Sequence, residues 1–244
     1  MDILFLASAA AESQAISLPE WLELASIVVG SLSGLLVAHE RKLDVVGYLG
    51  LALICGLGGG LVRDMMMQRG GVYMLDSPFA ISASLATAIV VFLFPMVFER
   101  FPNLIEWVDI MAVGLFAVMG TDKAVMFGLL PLAAVLMGTI TGIGGGMIRD
   151  VVLGEVPHIF QRSNFYAICA VAGSATYWIG VSGFGLAKGV CVVASIVITV
   201  ALRRLSLRFN VMSPDDIDLT PGVAEFIRQA ARDAAKHNDE RTNV

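Results

Sequence analysis

The stretch Gly56–Met67, "GLGGGLVRDMMM", returns 86 residues later as Gly142–Leu153, "GIGGGMIRDVVL". Each copy sets three consecutive glycines and then an arginine and an aspartate inside apolar sequence. Three glycines cost a helix about 2–3 kcal/mol relative to alanines, so both copies must recover that cost elsewhere. One way is a kink at Gly58–Gly60 and Gly144–Gly146 that frees carbonyls to line a water-filled cavity. The other is close packing of helices through small residues, for which Gly56/Gly60 and Gly142/Gly146 have the spacing. Both readings stay open at this point.

The surroundings are apolar. Of the 244 residues 57% are hydrophobic and 15% charged, well below the quarter expected of a soluble domain. Seven apolar segments run at 20–38, 45–67, 79–98, 104–122, 131–153, 164–181 and 185–202, each near the length of a membrane-spanning helix. The expected fold is an all-α membrane protein of seven transmembrane helices. Asp44 is placed to N-cap the second and Pro131 to open the fifth. A net charge of −5 argues against nucleic acid as a partner. Cys55, Cys169 and Cys191 lie far apart in apolar runs and read as buried thiols.

With the N-terminus outside, the inner set of basic residues is Arg41, Lys42, Arg100, Arg149, Arg162, Arg203, Arg204 and Arg208. The outer set is Arg63, Arg69, Lys123 and Lys188. That asymmetry predicts a cytoplasmic C-terminus in the inner (plasma) membrane. Residues 1–19 read as an uncleaved extracytoplasmic leader and 205–244 as a cytoplasmic tail with a short helix near Val223–Ala234.

The 86-residue offset also carries Val45 onto Pro131 and Phe79 onto Phe165. The helix before each motif aligns differently, Lys42 onto Lys123 at an offset of 81, which calls for a five-residue insertion before the fifth helix. Residues 20–98 and 104–181 then form two three-helix copies, with 185–204 a seventh helix standing alone. An odd number of crossings per copy inverts the second relative to the first, an arrangement whose binding and permeation sites lie between repeats.

Charges in lipid cost about 2.5–3.5 kcal/mol each at the bilayer centre, so Arg63, Asp64, Arg149 and Asp150 are candidate pore charges. Neighbours on a helix point about 100° apart, so the expected pairing is across the repeat, Arg63 with Asp150 and Arg149 with Asp64, or with a neighbouring helix. Ser31, Ser33, Ser84, Thr87, Thr139, Thr141 and Ser174 are expected to bond their own helix backbones, with Thr139 and Thr141 also candidates to line a path. Lys123 reads as a snorkelling anchor or a gate, and Glu106/Asp109 as acids favouring a helix N-terminus. His39, His158 and His237 are scattered, and the chain has no nucleophile elbow, HExxH or P-loop. No enzyme activity, metal or cofactor is expected.

"GLGGGLVRD", "GIGGGMIRDVVLGEVP" and "GTDKA" resemble the prokaryotic trimeric intracellular cation channels, a group overlapping the bacterial membrane domain known as the glycine transporter. The likeness covers about residues 22–204. It implies a homotrimer with one pore per subunit, lined by second and fifth helices kinked at their glycines. It also implies pore-side positions for Arg63, Asp64, Arg149 and Asp150, and a gating position for Lys123. The first copy departs from the pattern, writing "MMQRGG" where the second has "LGEVP". The expected function is a monovalent cation channel, permeable to potassium and with weak discrimination against sodium, since no filter like TVGYG is present. The rivals are a secondary transporter of glycine or another small neutral amino acid, and a structural membrane protein.

Overall fold

The structure is a computed structural model that describes residues 18–95, 104–161 and 166–209. The expected leader and tail helix lie outside the described residues. The chain folds as helices without strands among the described residues: α1 (Glu20–Glu40), α2 (Val45–Met67), α3 (Ala80–Leu93), α4 (Leu104–Met126), α5 (Pro131–Val152), α6 (Tyr166–Trp178) and α7 (Lys188–Arg208). A single helical turn, Tyr73–Asp76, sits between α2 and α3, and a π-helical turn, Ile179–Gly183, continues α6. The helices α1, α2, α4, α5 and α7 are long and apolar enough to cross a bilayer, and α3 is a shorter apolar helix. This is an all-helical membrane protein with five clear apolar spans.

Local chemistry sets the helix ends. The Asp44 carboxylate accepts from Gly47 N at 2.8 Å, capping α2, and Pro131 opens α5 where its missing N–H costs nothing. α2 stops at Gln68, which adopts φ 50°, and the chain after α5 turns at Gly154 with φ 75°. The turns after α1 and α4 pass through Lys42 with φ 52° and Gly128 with φ 66°. Lys42 N bonds His39 O and Leu43 N bonds Ala38 O; Gly128 N and Leu129 N do the same to Val125 O and Ala124 O. Both turns span four residues, so the 86-residue register holds through them. Lys42 therefore corresponds to Gly128 and not to Lys123, and no five-residue insertion exists: the match of one lysine to another had outweighed turn geometry. Lys42 and Gln68 bear a left-handed backbone that glycine adopts freely in the second copy.

The core of the bundle is the pair α2 and α5, flanked by α1 and α4. Their triple-glycine segments meet. A Cβ placed on Gly145 would lie 2.7 Å from the Cys55 carbonyl oxygen, and one on Gly59 would collide with the Thr141 carbonyl. A Cβ on Gly144 would lie 3.1 Å from Gly59 Cα. Cys55 and Thr141 are themselves 86 residues apart, so the two contacts are copies of each other. Both helices run through their glycines as unbroken α-helix. What Gly59 and Gly145 visibly provide is backbone contact, the close approach that small residues allow.

Polar side chains stitch the flanks. Thr87, Thr139 and Thr141 donate to their own helices, to Ala83 O, Val135 O and Met137 O. Ser31 and Ser33 do not: Ser31 Oγ donates to Ala52 O at 3.1 Å and lies 2.9 Å from Ser84 Oγ, and Ser33 Oγ donates to Asp109 at 2.9 Å. Where a second helix comes this near, its acceptors are better placed than the serine's own backbone.

Candidate functional site

Each copy builds a charge cluster where its motif meets the preceding helix. In the first, Arg63 Nε donates to Asp64 Oδ1 at 2.7 Å, and its Nη2 lies 3.6 Å from Glu23 Oε1 on α1. Lys123, at the end of α4, donates to the same Asp64 Oδ1 at 2.7 Å, and Tyr73 N donates to Oδ2 at 2.9 Å. In the second, Arg149 donates to Asp150 Oδ1 at 2.8–2.9 Å, and its Nη1 lies 3.6 Å from Asp109 Oδ1 on α4. His158 supplies Asp150 Oδ2 with its backbone N–H at 3.0 Å and its ring Nδ1 at 2.9 Å. Both arginines and both aspartates are buried.

The cross-repeat pairing is overturned. Each arginine turns back on the aspartate beside it, and the part of the expectation that holds is the contact to a neighbouring helix. The 100° between adjacent Cβ directions does not prevent this, because the long arginine stem spans the arc and the planar fork then has a second edge for Glu23 or Asp109. Lys123 is not a snorkelling anchor, since its ammonium ends on Asp64 inside the protein. Sequence reasoning missed Glu23 and gave Asp109 a helix-end role. The signal was there: Glu20-Trp21-Leu22-Glu23 returns as Glu106-Trp107-Val108-Asp109 at the same 86-residue offset.

Three cavities beside the α2–α5 crossing share bordering residues from one to the next. At the Arg149 end a cavity of about 720 Å³ is bordered by Asp109, Gly146, Arg149, Asp150, His158 and Tyr166. A central space of about 10 Å³ is bordered by Gly30, Ser33, Asp109, Gly146 and Phe116. At the Arg63 end a space of about 20 Å³ is bordered by Glu23, Gly60, Arg63, Tyr73 and Phe116. The two small spaces hold about one water each. Thr139 and Thr141 border none of the three.

The third glycine of each motif faces these spaces. A Cβ on Gly60 would lie 3.8 Å from Arg63 Nη2, and one on Gly146 3.7 Å from Arg149 Nη2. The motif thus divides its labour: Gly59 and Gly145 bring two backbones together, while Gly60 and Gly146 border the spaces, where a methyl group would meet the guanidinium only in ordinary contact. This predicts a sharp contrast. Gly59→Ala is expected to lower stability by about 1–3 kcal/mol through overpacking, whereas Gly60→Ala keeps it unchanged or raises it by up to about 1 kcal/mol through helix propensity. Thermal melts of the two variants in one detergent check it, and equal melting temperatures would refute the division.

A third charged pair fastens the outer helices. Lys188 Nζ lies 2.6 Å from Asp122 Oδ1, which also accepts from Tyr177 OH at 2.8 Å, so α4, α6 and α7 are joined at one carboxylate. Among the described residues no cluster of three or more His, Cys, Asp or Glu has a metal-holding arrangement.

Comparison with known proteins returns the same duplication. The family model described as "Glycine transporter" matches twice, over residues 20–96 and 106–182, again 86 apart. The inner membrane protein YadS of Escherichia coli strain K12 is 29% identical over 195 residues, covering 80% of this chain and 94% of that protein. Among solved structures, a TRIC cation channel superposes with a TM-score of 0.71 at 28% identity, covering 81% of this chain and 97% of that one. The trimeric intracellular cation channel orthologue from Rhodobacter sphaeroides gives 0.70 at 28% identity, covering 78% and 97%.

Proposed function

Because the chain belongs to the glycine-transporter family of membrane proteins and is similar in fold to prokaryotic trimeric intracellular cation channels, we propose that it is a passive channel for monovalent cations. The path runs past Arg149, along the glycine-rich faces of α2 and α5, to Arg63. One observation carries this reading: the widest cavity on that path is bordered by five carboxylates, Glu40, Glu106, Asp109, Asp150 and Glu155, against three guanidinium groups, Arg41, Arg149 and Arg203. Arginines alone would repel cations, and here they are outnumbered. In planar bilayers the purified protein is expected to give unitary currents whose reversal potential follows the cation gradient. Currents that followed chloride, or none, would refute it.

In this reading potassium permeates and sodium is only weakly excluded, no chemical catalysis is involved, and three copies assemble with a path in each. Residues 20–98 and 104–181 act as mutually inverted halves, 185–204 as a separate seventh span, 1–19 as a leader and 205–244 as a tail. The Arg149 end faces the cytoplasm in the inner membrane, in line with the basic residues clustered there. The glycine segments are where α2 and α5 bend as the path widens. Lys123 acts as a latch by bridging the end of α4 to Asp64 and lying 3.5 Å from Gly71 O. Lys123→Met is therefore expected to raise open probability several-fold, and an unchanged or lower value in single-channel records would remove the latch.

A second reading has its own support. A path open to about 720 Å³ at one end and nearly closed at the other is what alternating access to a small zwitterion such as glycine would look like. Saturable counterflow of labelled glycine without unitary current would select it.

A further inference from the structure

The central and Arg63-end spaces share one bordering residue, Phe116. Its side chain is buried on α4. The ring lies against α1 where Gly30 has no side chain: a Cβ there would lie 2.5 Å from Phe116 Cε2 and 2.8 Å from Cζ. Gly30 and Phe116 are 86 residues apart, so they occupy the same position in the two copies. A residue that touches its own counterpart sits at the middle of a duplicated structure. Gly59 and Gly145, also counterparts, meet there too. At the centre of the path one copy therefore supplies a ring and the other the space that receives it. Phe116 stands between the two spaces, and polar groups border them on either side, at Ser33 and Asp109 and at Glu23 and Arg63.

We propose that Phe116, seated on Gly30, is the constriction of this path. This deepens the channel reading and rests on it. An apolar ring filling a passage narrower than a hydrated ion excludes water as well as ions, so it closes the path by dewetting. Conduction requires the ring to leave Gly30. The ring then also sets the largest cation that passes.

The test compares Phe116→Ala, Phe116→Leu and wild type in planar bilayers, with potassium and then methylammonium as the permeant cation. Phe116→Ala is expected to raise potassium flux at least tenfold and to admit methylammonium, with Phe116→Leu between it and wild type. Phe116→Leu keeps most of the buried volume, so it remains informative if Phe116→Ala does not fold. A variant that merely loosened the bundle would not grade cation size in the order of side-chain volume. A conducting wild type with unchanged flux and size limit in the variants would overturn the constriction while leaving the channel reading intact. A silent wild type beside conducting variants would support the constriction and overturn the reading of the native protein as a conducting channel. Silence in every variant would overturn both.

Discussion

Replacement of Asp64 by alanine is expected to remove most of the folded protein. Asp64 answers two cations, Arg63 and Lys123, and its second oxygen holds Tyr73 N. Breaking a buried ion pair by deleting one partner costs about 3–5 kcal/mol, since the other charge stays buried without compensation. Here two charges are stranded, and Glu23 at 3.6 Å can answer only one of them. Losing the acceptor of a buried N–H adds about 1–3 kcal/mol. Together these rival the 5–15 kcal/mol that keeps a typical protein folded. Asp150→Ala is expected to be milder. Arg149 keeps Asp109, the cavity beside it has room for water, and His158 is exposed to solvent. Melting temperatures in detergent should fall much further for Asp64→Ala than for Asp150→Ala. The triple variant Arg63→Met, Asp64→Ala, Lys123→Met should recover part of the loss, since removing all three charges leaves none unpaired. Equal losses for the two aspartates, or no recovery, would mean that the first cluster does not hold the fold together.

The parts of this architecture that were legible in the sequence are those written as local chemistry. The apolar runs, the Asp44 cap, Pro131 at the start of α5 and the doubled motif each announce themselves within a few residues. The illegible parts depend on which helices meet. Gly59 and Gly60 look alike in sequence, yet one touches Thr141 on α5 and the other faces Arg63 on its own helix. Geometry around a helix discourages neighbours from pairing, but it treats side chains as short. Arginine is not, so Arg63 reaches Asp64. Matching identical residues misled the register at Lys42, because the true counterpart is Gly128 and what the two share is a left-handed backbone. Phe116 stayed invisible for the same reason. Its counterpart is Gly30, and a ring and an empty position look unrelated until they are seen to fill each other.

The pair Glu23 and Asp109 yields the second large effect, on current and not on folding. Both are half-buried, both face their arginine at 3.6 Å, and both border the path. Each arginine already has a closer partner in its neighbouring aspartate, so Glu23→Gln and Asp109→Asn are expected to leave melting temperatures nearly unchanged. The field along the path weakens locally. At the Arg149 end five carboxylates against three guanidinium groups become four against three, and the net negative charge that draws cations is halved. A unit charge at 4 Å is worth about 4 kcal/mol at an effective dielectric of 20. Water in the cavity and mobile ions reduce that considerably. Potassium conductance of Asp109→Asn is therefore expected to fall about tenfold in dilute salt and by less as salt rises, since counter-ions then screen the missing charge. Asp109→Lys should carry the reversal potential toward that of chloride. Conductance–concentration curves and bi-ionic reversal potentials measure both effects. A wild-type curve and an unshifted reversal potential in Asp109→Lys would mean that ions do not pass this carboxylate, and the path would have to be sought away from the α2–α5 crossing.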